Sequence, residues 1–434
     1  MIKRAKRFGP VKVGKVRPEL VAPAGSLEKL KYALEYGADA VYCGIPDFSL
    51  RVRINQFSKE DILEGIKYAH SKGKKVFVTT NIFAHNEHID KLEKFLTWLY
   101  DSQVRSDAFI AADPGVINVI KKKFPEANIH LSTQANCTNW QAAKFWYDLG
   151  VKRVVLGREV TLEEIKEIKK KVPKLEIEVF VHGAMCMSYS GRCMLSAWMT
   201  GRSANLGDCA QTCRWKYGVV EETRPGEFIP IEEDERGTYI FNSKDMCLID
   251  YVKDLADIGV DSFKIEGRAK SVHYLSTVVK AYKSVIDSDY DKKSIREAKK
   301  EIAKNVSRQY TTGFLLTDVA RPSSKIEEEM QNFYNRTVES GWEFVGEVVV
   351  GSGVTILTGK EIQGFIVKPH NLLLSSDEVE ILQPHGKKTK IKILKLIDLR
   401  NGQEVEKANG GTGRLYLVPT KLQIEAMSVL RKGK

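Results

Sequence analysis

The chain has 434 residues, 43% of them hydrophobic and 29% charged, which is the balance of an ordinary globular protein. No apolar run approaches the roughly 18 residues of a membrane-spanning helix, and the N-terminal segment lacks the apolar core of a secretory signal. The composition therefore excludes an integral membrane protein and predicts a cytoplasmic one. The net charge of +12 favours a polyanionic partner.

Residues 1–17 form a basic segment. Residues 1–15 contain six lysines and arginines and no acidic residue. We predict a disordered tail here. The alternative is a basic arm that contacts nucleic acid.

From residue 18, short apolar runs alternate with helix-length segments whose apolar residues recur at helical spacing. The eight apolar runs cover residues 19–24, 38–44, 75–81, 106–113, 128–134, 151–157, 175–183 and 260–268. Buried strands that each precede a helix pair in parallel, and eight of them close a barrel. Residues 18–290 are therefore predicted to form a (β/α)8 TIM-like barrel, with a doubly wound open sheet as the alternative.

A long insertion, residues 184–243, follows the seventh predicted strand. Loops of this length inside a compact domain are usually functional, and this one leaves the strand end where barrel enzymes place their chemistry. It carries four cysteines with the spacing C-x6-C-x15-C-x3-C, namely Cys186, Cys193, Cys209 and Cys213. Because a chain without an export signal rarely builds a disulfide framework, these thiols predict a metal centre. Their spacing leaves zinc and an iron–sulfur cluster both open, and buried or merely reactive thiols are the alternative.

Three further cysteines lie outside the insertion. Cys43 ends the second predicted strand, where small buried cysteines are common. Cys137 stands alone. Cys247 lies nearest to the point where the insertion returns to the barrel, so it is the reserve ligand.

The C-terminal part of the chain changes pattern twice. Residues 291–340 predict a charged helical linker, and residues 341–425 contain short alternating strands that predict a small antiparallel β-barrel domain. A basic tail is predicted at residues 426–434. The loops of this domain carry Lys387, Lys388, Lys390, Lys392 and Lys395. These lysines suit a solvated strand edge and a nucleic-acid surface equally.

Polar side chains stand at the C-terminal ends of the predicted barrel strands, where they would converge on one pocket. We expect His182, Lys264 and Glu266 to be catalytic there, together with Glu178 from inside the barrel. The expected substrate-binding residues are Asn81, Asp113, Gln134, Arg158, Arg192, Arg214 and Arg268. The arginines and Lys264 suit an anion such as a carboxylate. The sequence has no G-x-S-x-G, H-E-x-x-H or P-loop motif, so it does not predict a hydrolase of a familiar kind.

Several of these segments together resemble the collagenase-like peptidases of family U32. The strings are EVFVHGAMCMSYSGRCMLS, GDCAQTCRWKY, ELVAPAGSLEKLKYALEYGADAVYCG and FKIEGR. The resemblance runs from about residue 18 to residue 320, and the last 85 or so residues are similar to the C-terminal barrel domain of the family.

The resemblance implies an oxygen-independent hydroxylase with a 4Fe–4S cluster held by Cys186, Cys193, Cys209 and Cys213. In some relatives a later cysteine supplies the last ligand, which keeps Cys247 open. The most similar branch hydroxylates the wobble uridine of tRNA with prephenate as the implied hydroxyl donor. Other branches act on ribosomal RNA or a ubiquinone precursor, and the family name keeps a peptidase open.

On this hypothesis, aromatic side chains beside the cysteines are candidates for stacking a base. They are Trp198, Trp215 and Tyr217, and packing within the insertion is the alternative. The sequence leaves open whether a partner subunit is required.

Overall fold

The computed structural model describes residues 17–49, 56–185, 192–215, 233–234, 237–238, 244–316 and 340–434. The predicted basic tail at residues 1–17 lies outside these segments except for its last residue. None of the helices in the described segments combines the length and the apolar content that crossing a bilayer requires.

Strands and helices alternate through the first part of the chain. The strands are β1 (Glu19–Pro23), β2 (Ala40–Cys43), β3 (Lys75–Thr80), β4 (Ala108–Ala111), β5 (Ile129–Leu131), β6 (Arg153–Val155) and β7 (Glu176–Ala184). The helices are α1 (Leu27–Glu35), α2 (Lys59–Ser71), α3 (Asn86–Asp101), α4 (Pro114–Lys123), α5 (Trp140–Asp148) and α6 (Leu162–Lys171). Polar side chains set the helix starts: Ser58 and Asp61 form a capping box on α2, and Thr161 and Glu164 form one on α6.

The chain then passes through the insertion and closes the barrel. The next elements are α7 (Leu195–Thr200), β8 (Glu233–Asp234), β9 (Gly237–Thr238), β10 (Asp245–Cys247), α8 (Val252–Ile258), β11 (Ser262–Ile265), α9 (Val272–Asp287), α10 (Lys292–Ile302) and β12 (Tyr310–Thr311). Strand β11 pairs in parallel with both β1 and β7, so β1–β7 and β11 form a closed barrel. The predicted (β/α)8 barrel is confirmed. Strand β10 adds to β7 in the antiparallel direction.

Side chains alternate between the two faces of the barrel wall, because successive residues of a strand point in opposite directions. The larger apolar cluster lies between the strands and the helices. A smaller cluster forms inside the barrel from Val21, Ala40, Tyr42, Phe77, Ala108 and Ile110. The inside of the barrel is thus a packed core, as in other barrels of this size.

The C-terminal domain is a curled antiparallel sheet, as predicted. Its strands are β13 (Trp342–Leu357), β14 (Lys360–Pro369), β15 (Leu373–Leu374), β16 (Glu378–Leu382), β17 (Thr389–Lys392), β18 (Leu396–Asp398), β19 (Glu404–Val405), β20 (Lys407–Ala408), β21 (Tyr416–Pro419) and β22 (Val429–Gly433). Eight of them form one sheet in the order β17-β16-β22-β13-β14-β21-β18-β19, and β15 pairs with β20.

The prediction of a basic tail at residues 426–434 is wrong. Strand β22 lies inside the sheet, between β16 and β13. Its Arg431 side chain is fully buried and donates to Glu380 Oε1 at 2.6 Å, and it also pairs with Glu301 of α10. A charge that looks solvated in the sequence is therefore neutralised by carboxylates distant in the chain. The predicted helical linker is represented by α10, and residues 317–339 lie outside the described segments.

The C-terminal domain is fastened to the barrel by buried polar contacts. The Tyr32 hydroxyl of α1 donates to Glu347 Oε2 at 2.7 Å, and the Tyr36 hydroxyl donates to the Leu382 carbonyl at 2.7 Å. Arg431 and Glu301 add an ion pair across the same boundary. These contacts fix the orientation of the two domains.

The five lysines predicted on this domain divide into two groups. Lys388 pairs with Glu301, and Lys395 pairs with Glu404 at 2.9 Å. Lys387, Lys390 and Lys392 are exposed, and the last two lie on β17, an edge of the sheet. A nucleic-acid surface here stays a prediction.

Candidate active site

The centre of the barrel contains a buried charge cluster. Glu178 on β7 is fully buried, and its Oε1 accepts from Lys264 Nζ on β11 at 2.6 Å. Its Oε2 accepts from Arg153 Nη1 on β6 at 3.1 Å and from the Ser262 hydroxyl at 2.9 Å. Both carboxylate oxygens are thus engaged by groups from neighbouring strands.

These contacts decide the charge of Glu178. Burial alone would raise its pKa, but the positive charges of Lys264 and Arg153 outweigh burial and lower the pKa to about 2. Burial lowers the pKa of Lys264, and Glu178 opposes that shift. A carboxylate that holds its charge so strongly is a poor general base near neutral pH. The arrangement instead makes Glu178 a positioning residue for Lys264.

Lys264 contacts both the charge cluster and the residues at the mouth of the barrel. Its Nζ lies 4.4 Å from the centroid of the Tyr42 ring. The Tyr42 hydroxyl has two acceptors within reach of its one proton, Glu266 Oε2 at 3.1 Å and the Ile265 carbonyl at 3.0 Å. Buried Arg268 donates to the Ser49 hydroxyl. The Arg268 guanidinium lies 5.8 Å from the centroid of the Tyr42 ring, so Lys264, Glu266 and Arg268 all lie next to Tyr42.

A second polar group lies at the ends of β3 and β5. Asn81 Nδ2 donates to the Ser132 hydroxyl at 3.0 Å and to Gln134 Oε1 at 3.0 Å. Asn81 Oδ1 is buried and has no hydrogen-bond partner among the described residues. Arg158, at the end of β6, places its guanidinium 3.8 Å from the centroid of the Phe180 ring. These side chains give the mouth an arginine and an amide oxygen that a bound ligand could use.

Two predicted site residues are placed elsewhere. His182 is directed away from the barrel interior, because the pairing of β7 with β11 shifts register between Lys264 and Ile265 and sets His182 opposite Ile265. Its ring packs on the tyrosines at positions 274, 282 and 310, and burial lowers its pKa to about 4. The expectation that His182 joins the strand-end pocket is wrong.

Asp113, the second of these residues, caps α4 by accepting from the Val116 N–H at 2.9 Å.

Gly183 lies where the ends of β7 and β11 approach each other, and it yields a first prediction. Its φ is +111°, and an added Cβ would stand 2.4 Å from the Glu266 carbonyl oxygen. We expect Gly183→Ala to lower the free energy of unfolding by about 3 kcal/mol, through backbone strain and this contact. Chemical denaturation measures the change.

Gly150→Ala is the matched control, since Gly150 also has a positive φ of +83° but no atom within 4 Å of the added Cβ. We expect it to cost about 1 kcal/mol. Equal costs for the two variants would contradict the close approach at Gly183.

The insertion is tied to the mouth of the barrel by its backbone. Asn205 Oδ1 accepts from the Cys193 N–H at 3.1 Å, and the Asn205 carbonyl accepts from the Phe83 N–H, next to the end of β3, at 3.1 Å. Cys193, Cys209 and Cys213 are all half-buried, and none forms a disulfide. Predicted Arg192 is exposed. Cys186, Tyr217 and the side chain of Arg214 lie outside what the structure describes.

The donor chemistry of the insertion suits a thiolate-bound group. The Gln211 N–H donates to Cys209 Sγ at 3.3 Å, a contact of the kind that tunes iron–sulfur centres. Within the described segments, no three histidine, cysteine or carboxylate side chains gather closely enough to hold a metal ion. The fourth cysteine of the predicted set, Cys186, lies outside the described residues, so the metal centre stays a prediction.

The three cysteines outside the insertion lie in the barrel domain, and Cys247 stays the reserve ligand. Burial raises the pKa of the Cys43 and Cys137 thiols to about 12, so neither ionises readily. Burial also raises the pKa of Cys247, whose Sγ lies 3.8 Å from the Tyr282 hydroxyl. Cys247 is thus held against α9.

A cleft of about 950 Å³ opens between the insertion, the barrel and the C-terminal domain. Cys209 and Trp215 lie on the insertion side, and Phe344 lies on the side of the C-terminal domain. Trp215 is 38% exposed, whereas Trp198 is 81% exposed and does not line the cleft. The cleft has the size of a ligand-binding site.

Arg153, Tyr42 and Ser49 also belong to the candidate site, and the sequence does not predict them there. The sequence could have indicated Arg153, because a charged residue in the middle of an apolar strand needs a buried partner of opposite charge. It gives no such indication for Tyr42 and Ser49, since a tyrosine in a strand and a serine in a loop are ordinary.

Comparisons with known proteins cover nearly the whole chain. The profile of peptidase family U32 matches residues 25–342. The tRNA hydroxylation protein P of Escherichia coli K12 is 39% identical over 415 residues, which cover 85% of this chain and 87% of that protein. The tRNA hydroxylation protein P1 of Bacillus subtilis 168 is 39% identical over 424 residues, or 96% of this chain and 95% of that protein. The 23S rRNA 5-hydroxycytidine C2501 synthase of E. coli is 36% identical over 272 residues, or 63% of this chain and 40% of that protein.

Proposed function

The chain belongs to peptidase family U32, and from that membership and its relatives we propose that it is a tRNA hydroxylase. The proposed reaction converts the wobble uridine to 5-hydroxyuridine without molecular oxygen, with a 4Fe–4S cluster and with prephenate as the hydroxyl donor. The observation that carries the proposal is the 39% identity to two tRNA hydroxylation proteins over 85% and 96% of this chain.

The chemistry of hydroxylation favours an iron–sulfur cluster over zinc. Replacing the C5–H of uracil by C5–OH, with oxygen at the oxidation level of water, removes two electrons from the base. Lysine, arginine and carboxylate side chains cannot accept them, and zinc has no redox chemistry. The proposed reaction therefore needs an external electron acceptor in addition to the hydroxyl donor, and a bound cluster would supply the electron-transfer chemistry that connects the base to that acceptor. Cys186, Cys193, Cys209 and Cys213 are the residues that would hold the cluster.

The mouth of the barrel suits a small dicarboxylate. Arg158, Lys264 and Arg268 are cations at the ends of two strands, β6 and β11, and they could bind carboxylates. Glu178 holds Lys264 in place through an ion pair, and Tyr42 and Glu266 lie beside Lys264 at the mouth of the barrel. In this proposal these residues bind and orient the donor.

A peptidase is less well supported than a hydroxylase. The Ser49 hydroxyl at the mouth bonds to Thr79 at 2.7 Å and accepts from Arg268. An arginine keeps its proton in proteins and cannot serve as a general base. His182, a candidate base, packs among tyrosines behind the barrel wall.

Nucleoside mass spectrometry of RNA from a strain that lacks this gene tests the proposal. We expect the 5-hydroxyuridine derivatives of tRNA to disappear and to return when the gene is restored. Unchanged tRNA derivatives would contradict the proposal. If 5-hydroxycytidine in ribosomal RNA were lost instead, the substrate would be ribosomal RNA.

A further inference from the structure

The cleft between the insertion and the C-terminal domain contains the N-terminus of α9, a helix of 16 residues. Ser271 caps this helix by accepting from the Tyr274 N–H, and Lys270 precedes the cap. The first N–H groups of a helix have no partner within the helix, and the helix dipole favours negative charge there. Lys270, Ser271 and His273 all line the cleft, so this end of it suits an anion.

A buried histidine provides a second, independent sign of a ligand. His273 lies in the first turn of α9 and is only 6% exposed. Its Nε2 is buried and has no hydrogen-bond partner among the described residues. An unsatisfied buried ring nitrogen is unfavourable unless a bound molecule or water completes it.

The cleft also has aromatic surfaces. The His273 ring stacks on Phe344 with centroids 5.3 Å apart and an interplanar angle of 10°. Trp215 faces the cleft from the insertion and remains 38% exposed. Such rings can stack on a nucleobase, and most single-stranded RNA recognition uses them.

Three acidic residues line the cleft, namely Asp208, Asp245 and Glu343, and the first two are neutralised by ion pairs. Asp245 forms a buried ion pair with Arg308, and Asp208 pairs with Arg202 at 3.0 Å. These pairs reduce the repulsion that the wall would exert on an incoming phosphate. Because the two domains are fastened together through Tyr32 and Glu347, the walls of the cleft are held in place before a ligand arrives.

We propose that this cleft binds a phosphate-bearing nucleotide of the RNA substrate, with the phosphate at the N-terminus of α9 beside Lys270 and the base against Trp215. The proposal rests on the RNA-hydroxylase function and deepens it, because Cys209, a proposed cluster ligand, lines the same cleft. The RNA thus enters between the two domains, and the donor occupies the mouth of the barrel.

Fluorescence anisotropy with an unmodified, labelled tRNA anticodon stem–loop tests the site without any donor present. We expect Trp215→Ala to weaken RNA binding about tenfold, the usual size for loss of one stacked base. We expect Lys270→Ala to weaken it several-fold and to reduce the salt dependence of log K by about one. Circular dichroism confirms that both variants are folded.

Two matched variants are the controls. Phe145→Ala removes an exposed aromatic side chain of α5 that does not line the cleft, and Lys360→Ala removes an exposed lysine of β14 that does not line it either. We expect both to bind RNA like the parent protein. Loss of RNA binding in these controls, with Trp215→Ala and Lys270→Ala unaffected, would overturn the proposal.

The same experiment separates the binding site from the reaction. If Trp215→Ala and Lys270→Ala lose RNA affinity while the deletion strain keeps its 5-hydroxyuridine, the nucleotide site stands and the reaction assignment falls. If these two variants retain RNA affinity and lose only the binding of prephenate, the cleft is the donor site and the nucleotide proposal is wrong.

Discussion

Replacing Glu178 by glutamine is expected to lower the free energy of unfolding by about 3–5 kcal/mol at pH 7. The substitution keeps the shape of the side chain but leaves Lys264 and Arg153 without the carboxylate that both contact. These cations are only 4% and 6% exposed, so water cannot replace it. Urea denaturation of the two proteins measures the difference.

The pH dependence follows from the lowered pKa of Glu178. Its pKa is about 2 in the folded protein and 4.5 without these interactions. The stabilisation is therefore complete above the unfolded value and is lost as the pH falls from about 4.5 to about 2. The difference in the free energy of unfolding between the parent protein and Glu178→Gln should therefore decrease as the pH falls from about 4.5 to about 2.

Glu64→Gln is the control for Glu178→Gln. Glu64 also pairs with a lysine, Lys31 at 2.7 Å, but its side chain is 58% exposed. An exposed pair of this kind contributes about 1 kcal/mol or less. Equal stability losses in the two variants would show that the central charge cluster is not a stabilising element.

Cys193→Ala is expected to abolish hydroxylation and to remove most of the iron from protein purified without oxygen. If four thiolates hold the cluster, loss of one leaves an incomplete ligand set. Cys193 is half-buried in the insertion, so its replacement should cost the fold little. Iron analysis, the brown colour of the protein and the 5-hydroxyuridine content of tRNA measure the outcome.

Cys137→Ala is the control for the loss of a thiol as such. Cys137 is buried in the core of the barrel domain, away from the insertion. We expect this variant to keep its iron and its activity while losing some stability. Full iron content in Cys193→Ala would remove that residue from the ligand set, and colourless, zinc-loaded parent protein would exclude the iron–sulfur proposal.

The fold was predictable from the sequence because most of the barrel strands have a recognisable local pattern of residues. Runs such as residues 75–81 and 175–183 are apolar and β-branched, and amphipathic segments separate them. One exception was β22, which contains Arg431, Lys432 and Gly433 and was therefore predicted to be a solvated tail. Its burial depends on Glu380 and Glu301, which are remote in sequence, and no local pattern reveals such a pairing.

Site residues could be predicted only where the position of a residue along its strand decides the direction in which its side chain points. Asn81, Gln134, Glu266 and Arg268 lie at the mouth because parallel strands of a barrel end on one side. The prediction for His182 is wrong because a one-residue register shift between β7 and β11 reverses the face to which its side chain points. The nucleotide cleft could not be predicted, since its walls come from segments that only the docked C-terminal domain brings together.

The place of β22 in the sheet sets the order in which the protein can be completed during synthesis. All the barrel strands precede residue 266, so the barrel can close while the C-terminal domain is still being translated. The C-terminal sheet cannot, because β22 follows every other strand in sequence yet separates β16 from β13. The Arg431 ion pairs across the domain boundary also wait for β22. A nascent chain would thus carry a finished barrel before it has a finished cleft.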